Sequence, residues 1–320
     1  MPNVLERLRE KLEAGEITQE EYEQLLKGLE KIGALEDETA GENDPSEKVY
    51  DKIVVNGAKT IPGGVNKGST HINGKLRSTG PLVTNSLNIN GKADFEQGIE
   101  VKGDTKINGK ANVIGKAVFL GATKISGKLE AKNNVVFGSE ARISGKVSTQ
   151  GEVVSGEILK IAGKMKAQSL SSTGKIIASG PIEIYEGIVA EEFISKAGGG
   201  QAKFIKGRRI VVGEEYSLRS YESKGKIKVD EINNFAELAR YLTDVIATAV
   251  FRSRHYGEPR VFEIEETIEG EEIQLSYAHV KGDVIGDRII IDENTQIEGV
   301  IRYRESVTLP ENGNYETVQI

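Results

Sequence analysis

Glycine recurs every six residues in the middle of the chain, at Gly103, Gly109, Gly115, Gly121 and Gly127. Each glycine would cost a helix interior about 1 kcal/mol, so this spacing excludes a long helix. Between the glycines, single apolar residues alternate with polar ones, which is the pattern of short β-strands. This stretch is therefore predicted to fold as short strands joined by frequent corners.

A longer period lies on top of the first. The motif Ile-[Asn/Ser/Ala]-Gly-Lys recurs with steps of 17 or 18 residues, beginning at Ile72, Ile89, Ile107, Ile125, Ile143 and Ile161. Three strands and three corners complete one turn of about 18 residues, and turns would stack at about 4.8 Å, the spacing of paired strands. The predicted fold class is all-β dominated, a three-sided parallel β-helix or solenoid.

Stacked turns place equivalent residues above one another. The six isoleucines are predicted to form an interior ladder, and the lysine three positions later an exposed one. The glycine of each motif is predicted to sit at a corner, where glycine and asparagine tolerate the left-handed backbone region. These corner glycines are Gly74, Gly91, Gly109, Gly127, Gly145 and Gly163.

The chain divides into five segments by composition. Residues 1–33 are predicted to form a short α-helical hairpin, with Thr18 and Glu21 as the capping box of its second helix. Residues 34–48 are acidic and poor in apolar residues, which is typical of a linker. The main β-helix is assigned to residues 49–230, an inserted helix to 231–257 and further β-helix turns to 258–320.

The inserted helix is predicted to be amphipathic. Its start is indicated by Asn234 as cap, and its apolar residues then follow helical spacing, at Phe235, Leu238, Leu242, Val245, Ile246 and Ala249. We expect its apolar face to pack along or across the β-helix. Membrane contact is the alternative, although its polar side carries acids as well as bases.

Composition excludes several classes of site and location. The chain has no cysteine, so it has neither a disulfide framework nor a cysteine-based zinc site or nucleophile. No metal or cofactor is expected.

The lysines of the chain are dispersed singly, without the aromatic residues that stack bases, so nucleic acid is not an expected partner. The charged N-terminus and the lack of a long apolar run predict a cytoplasmic protein, with the inner face of the membrane as the alternative.

The ends of such a rod expose unpaired backbone groups, which are a template for another chain. The ends either carry capping elements or meet the ends of neighbouring copies in a homopolymer. For the polymer, the predicted interface residues are Ile53 and Val55 at the first turn and Val307 and Leu309 at the last.

The repeated motif, the segment YDKIVVNGAKTIPGGVNKGSTHINGK and the segment IEGEEIQLSYAHVKGDVIGDRIIIDENTQIEGVIRY together resemble the bactofilins, the polymer-forming cytoskeletal proteins. The resemblance implies a right-handed β-helix that polymerises end to end without nucleotide, through like-to-like joints, into cytoplasmic scaffolds. The short proline-rich tails of minimal bactofilins are absent, and the inserted helix is a departure. LEAGEITQEEYEQLLKGL resembles a SHOCT module, which implies association with itself or other proteins through residues 1–33.

Two rival functions follow from the same period. Left-handed β-helix acyltransferases of the hexapeptide type also have 18 residues per turn and use a histidine as general base. The histidines here are His71, His255 and His279, and none has a partner indicated by sequence. A secreted β-helix acting on polysaccharide would need an export signal and clustered aspartate and arginine. We expect a structural protein and no enzyme.

Overall fold

The computed structural model describes residues 48–196, 199–213 and 260–320, and in these residues all secondary structure is β-strand. The strands pair in parallel with the strands one turn away, which makes a β-solenoid of about 13 turns. The parallel solenoid predicted from the glycine and isoleucine periods is thus confirmed. The predicted helical hairpin, most of the linker and the inserted helix lie outside the described residues.

The described residues form 32 strands. In chain order they are β1 (Val49–Tyr50), β2 (Ile53–Val55), β3 (Ala58–Ile61), β4 (Gly64–Ile72), β5 (Lys75–Ser78), β6 (Leu82–Ile89), β7 (Lys92–Phe95), β8 (Gly98–Val101), β9 (Thr105–Ile107), β10 (Lys110–Val113), β11 (Lys116–Phe119), β12 (Thr123–Ile125), β13 (Lys128–Ala131), β14 (Val135–Phe137), β15 (Ala141–Ile143), β16 (Lys146–Thr149), β17 (Val153–Ser155), β18 (Leu159–Ile161), β19 (Lys164–Ala167), β20 (Leu170–Ala178), β21 (Ile182–Ile184), β22 (Gly187–Ser195), β23 (Gly200–Ala202), β24 (Phe204–Lys206), β25 (Arg209–Val212), β26 (Phe262–Ile264), β27 (Ile268–Leu275), β28 (Ala278–Val280), β29 (Val284–Ile291), β30 (Gln296–Ile297), β31 (Ile301–Thr308) and β32 (Thr317–Gln319).

Each turn contributes one strand, or one half of a long strand, to each of three series. Within a series, every strand pairs with the strands one turn before and one turn after it. The first series contains strands such as β8, β11, β14 and β17, and the second contains β9, β12, β15 and β18. Long strands such as β4 and β20 run through the corner between these two series, which therefore form one 20-stranded sheet. The third series, from β3 to β30, is a separate 12-stranded sheet.

The motif isoleucines lie in the second series and point into the core. Ile107, Ile125, Ile143 and Ile161 pair with one another in consecutive turns, and all six motif isoleucines are 0–1% exposed. They are β-branched, which suits stacking on the pleated surface of a strand. The motif lysines pair in the same way in the third series, on the outer face.

The predicted reason for the corner glycines is wrong. Positive backbone φ angles occur at Gly63, Gly64, Gly98, Gly199 and Gly213 among the described glycines, and at none of the six motif glycines. Instead, a Cβ atom on any motif glycine would lie within 3.0 Å of a backbone carbonyl oxygen of the preceding turn. The corner requires glycine because neighbouring turns approach too closely for a side chain.

The motif asparagines have a further role at these corners. The side-chain amides of Asn73, Asn90 and Asn108 each donate to the amide oxygen of the asparagine one turn earlier, at 3.1, 3.0 and 2.8 Å, and the ladder begins at Asn56. A repeating amide ladder of this kind satisfies donor and acceptor between turns.

The solenoid continues in register across residues 214–259. β23 pairs with β26, so that Ala202 lies beside Ile264 as if the two turns were consecutive in sequence. The chain leaves the described region after Gly213 and returns at Arg260, at the corner between the second and third series. The intervening segment is therefore an insertion at one corner of one turn.

Candidate assembly surfaces at the two ends of the solenoid

The first turn ends the solenoid with three edge strands. β1 and β2 pair with β4, and β3 pairs with β5, and no other described strand pairs with any of the three. The outward side of these strands therefore presents backbone groups without a partner among the described residues. Such an edge can accept another strand.

The corner of the first turn shows the same open edge at atomic detail. Gly57 occupies the column of the motif glycines, because a Cβ on Gly74 would collide with the Gly57 carbonyl oxygen. A Cβ on Gly57 itself would meet nothing within 4 Å. The amide oxygen of Asn56 accepts a hydrogen bond from the Asn73 side chain, which makes Asn56 the first member of the asparagine ladder. The first turn is thus built to be stacked upon, and its outer side is free among the described residues.

The predicted interface residues of the first turn lie in the core. Ile53 and Val55 are buried and belong to the same hydrophobic cluster as the motif isoleucines. Their strand forms the outer edge, while Val54 between them is exposed on the outer face. At 1% and 2% exposure the side chains of Ile53 and Val55 offer no open surface, so a contact at this end would involve the backbone edge of β2 and exposed side chains such as Val54.

Tyr50 adds a buried polar atom to this end. Its ring packs against the hydrophobic cluster and its hydroxyl is buried without a hydrogen-bond partner among the described residues. Burial raises the pKa of the Tyr50 hydroxyl, so the group is neutral at physiological pH. The Lys48 ammonium lies 5.7 Å from the centre of the Tyr50 ring.

The other end is partly covered by the chain itself. Val307 and Leu309 are partly buried and pack against the core, as does Tyr315, whose hydroxyl donates to the Thr295 carbonyl at 2.7 Å. The pKa of the Tyr315 hydroxyl is raised, mainly by burial and to a smaller extent by the nearby Asp292 carboxylate. β32 pairs with the first half of β31 alone, and its outer side has no described partner.

A shallow cavity of about 380 Å³ lies beside this end, at the ends of β27, β29 and β31. Its walls include Leu275, Ile291, Leu309 and Pro310, and its polar groups include Ser276, which donates to Asp292. The Asp292 side chain also accepts from the backbone of Asn294, so its oxygens already hold the turn that follows β29. The cavity is part of the end surface, and its Ser276 and Asp292 side chains are hydrogen-bonded within the chain.

Two of the three histidines, His71 and His279, belong to the described residues. His71 lies on the outer face of the second series, between Val54 and Asn88 in register. His279 has partners that sequence reasoning missed, since its ring nitrogens contact Glu263 and Glu298 at 2.9 and 2.8 Å. Both glutamates are on turns next to that of His279, 16 and 19 residues away, so the turn period was the signal that could have found them. His255 lies outside the described residues.

Comparison of the chain with protein-family models, curated proteins and solved structures gave no match. Within the described residues, no cluster of histidine, aspartate and glutamate has the arrangement of a metal site. The residues that the structure describes include no helix long and apolar enough to cross a membrane.

Proposed function

We propose that this chain is a structural protein of the bactofilin type, which assembles end to end without nucleotide into filaments that serve as a cytoplasmic scaffold. The observation that carries the proposal is the open first turn, in which Gly57 and Asn56 repeat the stacking positions of the interior turns but have no preceding turn among the described residues. Edges of this kind support growth by addition of further copies.

The finer description of the rod belongs to the same proposal. Three series of strand pairings support a three-sided solenoid. The bactofilin resemblance implies the right-handed form. Residues 1–33, by their resemblance to a SHOCT module, are proposed to bind a further copy or another protein.

Two kinds of joint are compatible with these ends. In a like-to-like joint, β2 and Asn56 would meet their own copies, and the residues around Val307 and Leu309 would meet theirs. In a head-to-tail joint, the lysines of the first turn, such as Lys52 and Lys59, would face Glu311 and Glu316 after the last long strand. We propose the like-to-like joint, because exposed apolar side chains near the ends, such as Val54 and Val318, would be buried against their own copies at about 25 cal/mol per Å². Exposed ion pairs contribute only about 0 to 1 kcal/mol each.

Electron microscopy of the purified full chain without nucleotide tests the proposal. We expect unbranched filaments whose width is that of one or a few solenoids. Particles that remain monomeric, near 34.8 kDa, at high protein concentration would overturn the proposal.

A variant at Gly57 separates assembly from folding. Gly57→Val adds a side chain into space that is open among the described residues, so the thermal unfolding midpoint should change little. The same side chain would obstruct a copy stacked on the first turn, so filaments should be shortened or lost. The matched control is Lys124→Val, on the outer face in the middle of the rod, which should leave filaments intact. Normal filaments from Gly57→Val would exclude the first turn as a joint.

A further inference from the structure

The outer face of the first series carries an apolar strip in the middle of the rod. The strip is a single column of outward positions that pair in register from one turn to the next. In order along the rod, its members are Glu100, Val118, Val136, Val154, Ser171, Val189 and Lys206. We call this set the valine column. A continuous apolar strip on an outer face is a feature of interaction surfaces.

The valine column is accessible from outside the rod. Val189 is 43% exposed, and Val118 and Val154 are half-exposed. Val136 is recessed between its neighbours, at 7% exposure. The column therefore offers apolar side chains to a partner on both sides of Val136.

The next outer column keeps this face flat. Two residues further along each strand, successive turns carry Leu120, Gly138 and Gly156. Leu120 is 41% exposed and widens the apolar surface. The two glycines have no side chain, so nothing rises beside the column at these turns. A second sheet can therefore approach to about 10 Å, the distance between packed sheets.

Opposite charges end the column at equal distances from its centre. Val154 is the fourth of the seven members, with Glu100 three turns before it and Lys206 three turns after it. At about 4.8 Å per turn, each charge lies about 14 Å from Val154. Glu100 is half-buried and has no ion pair with another described residue. Lys206 contacts Glu269 at 2.7 Å and keeps half of its side chain exposed.

The positions of these charges favour an antiparallel second copy as the partner. Two parallel rods would place each Glu100 against Glu100 and each Lys206 against Lys206, which is repulsive. A two-fold axis through Val154 instead places Glu100 of each copy opposite Lys206 of the other. The same axis places Val118 opposite Val189, and Val154 opposite its own copy. Charge and apolar positions are thus complementary in one orientation.

The charges also select the register of the two rods. If one copy slides by one turn, Glu100 comes to face either Val189 or Glu269 of the other copy. The first arrangement leaves the carboxylate against an apolar side chain, and the second places two carboxylates together. Both are less favourable than the pairing of Glu100 with Lys206, so the alternatives are disfavoured as well as the chosen register being favoured.

We propose that two copies of this chain associate side by side and antiparallel through their valine columns, about a two-fold axis at Val154. Between Glu100 and Lys206 the contact is about 29 Å long and about 13 Å wide, or about 400 Å² on each copy. That area is at the low end for a specific interface, so two single rods associate weakly and many such contacts in series associate firmly. The contact itself requires no filament, because all seven positions lie on one rod.

Cross-linking at the axis tests the contact directly, because the native chain has no cysteine. Val154→Cys in the full chain places two thiols opposite each other, one from each copy. A bifunctional maleimide with a reach of about 10 Å should join them into a dimer on a denaturing gel. Val154 lies six turns after Val49 and seven turns before Val318, so a joint between rod ends does not bring these thiols together.

Val118→Cys and Val189→Cys are matched controls on the same column. In the antiparallel pair each of these thiols lies four turns, about 19 Å, from its own copy, so either variant alone should form at least about 10-fold less dimer than Val154→Cys. An equimolar mixture of the two variants should form the dimer, because Val118 of one copy faces Val189 of the other.

Charge reversal in Val154→Cys supplies a second readout. Glu100→Lys or Lys206→Glu alone creates two repulsive contacts in each pair and should lower the dimer yield about 10-fold. The two reversals together should restore the yield, because each new lysine then faces a new glutamate. Glu100 and Lys206 are about 29 Å apart within one chain, so this rescue cannot arise within a single rod.

The outcomes separate this contact from the end-to-end joint. Equal dimer yields from Val118→Cys, Val154→Cys and Val189→Cys would indicate a parallel pair or random collision and would overturn the proposal. No cross-link in Val154→Cys, or no rescue by the double reversal, would overturn it as well. Filaments without the cross-link would leave the end-to-end joint standing, and the cross-link without filaments would leave the side-by-side contact standing.

Discussion

Lys59 stands in register with Leu76 in a column of inward-facing positions, yet Lys59 is exposed while Leu76 is completely buried. The difference arises because Lys59 belongs to the first turn, where the interior of the solenoid opens outward. An inward-pointing charge on an outermost strand is a common means of limiting uncontrolled strand addition. The first turn therefore combines an open edge with one charge that opposes its use.

Replacing Lys59 with methionine should promote assembly through the first turn. In a like-to-like joint two Lys59 ammonium groups approach each other, and removing them removes that repulsion. Sedimentation should show a lower critical concentration for Lys59→Met. The gain should shrink at 1 M salt, where the Debye length is about 3 Å. Lys124→Met, in mid-rod, is the control, and weaker assembly of Lys59→Met would instead favour a head-to-tail joint in which Lys59 meets an acid.

Replacing Gly127 with alanine should destabilise the solenoid. The new Cβ would lie within 3.0 Å of the Gly109 carbonyl oxygen, so the two turns would have to separate. We expect a clearly lower thermal unfolding midpoint, followed by circular dichroism. Gly57→Ala is the matched control, since the same column has open space there. Equal midpoints for Gly127→Ala and Gly57→Ala would show that the close approach between turns is not what requires glycine.

Replacing Ile125 with aspartate should disrupt the rod. The side chain is fully buried between Ile107 and Ile143, so an aspartate there would lack both water and a partner. We expect loss of cooperative unfolding or a destabilisation of at least about 4 kcal/mol. Lys146→Ala, on the outer face, should change stability by less than about 0.5 kcal/mol. Comparable effects of the two substitutions on the unfolding midpoint would contradict the inward register.

The stability of the rod should depend on pH through Glu130. Hydrogen bonds from Lys110 and Lys128, at 2.8 and 2.5 Å, lower its pKa from 4.5 to about 2. Because the folded pKa lies below the unfolded one, this contribution is complete above pH 4.5 and is lost as the pH falls towards 2. Glu130→Gln should therefore lower the thermal midpoint at pH 7 but match the native chain near pH 2. A constant difference across this range would rule out the carboxylate as its source.

The repeat made the interior of this protein predictable because register and burial are coupled. Once Ile107 and Ile125 are aligned at a step of 18 residues, their neighbours are fixed to the inner or outer face. Gly127 was placed correctly at a corner but for the wrong reason. A backbone with positive φ and a closely approaching carbonyl group both require glycine, so the sequence alone does not distinguish the two causes. His279 was missed because Glu263 and Glu298 lie about one turn away, where the period is less regular. The open edge at Gly57 depends on which turns have neighbours, and a repeat does not specify its own ends.

The junction between Ala202 and Ile264 gives the folding of this chain a distinct kinetic step. Elsewhere each turn is added by closing a loop of about 18 residues onto the turn before it, which favours stepwise propagation from a nucleus. At the junction the paired residues are 62 positions apart, and the larger loop adds about 1 kcal/mol of closure entropy. Addition of the turn after this junction should therefore be about fivefold slower than addition of the other turns, which makes this corner the slowest step of propagation along the rod.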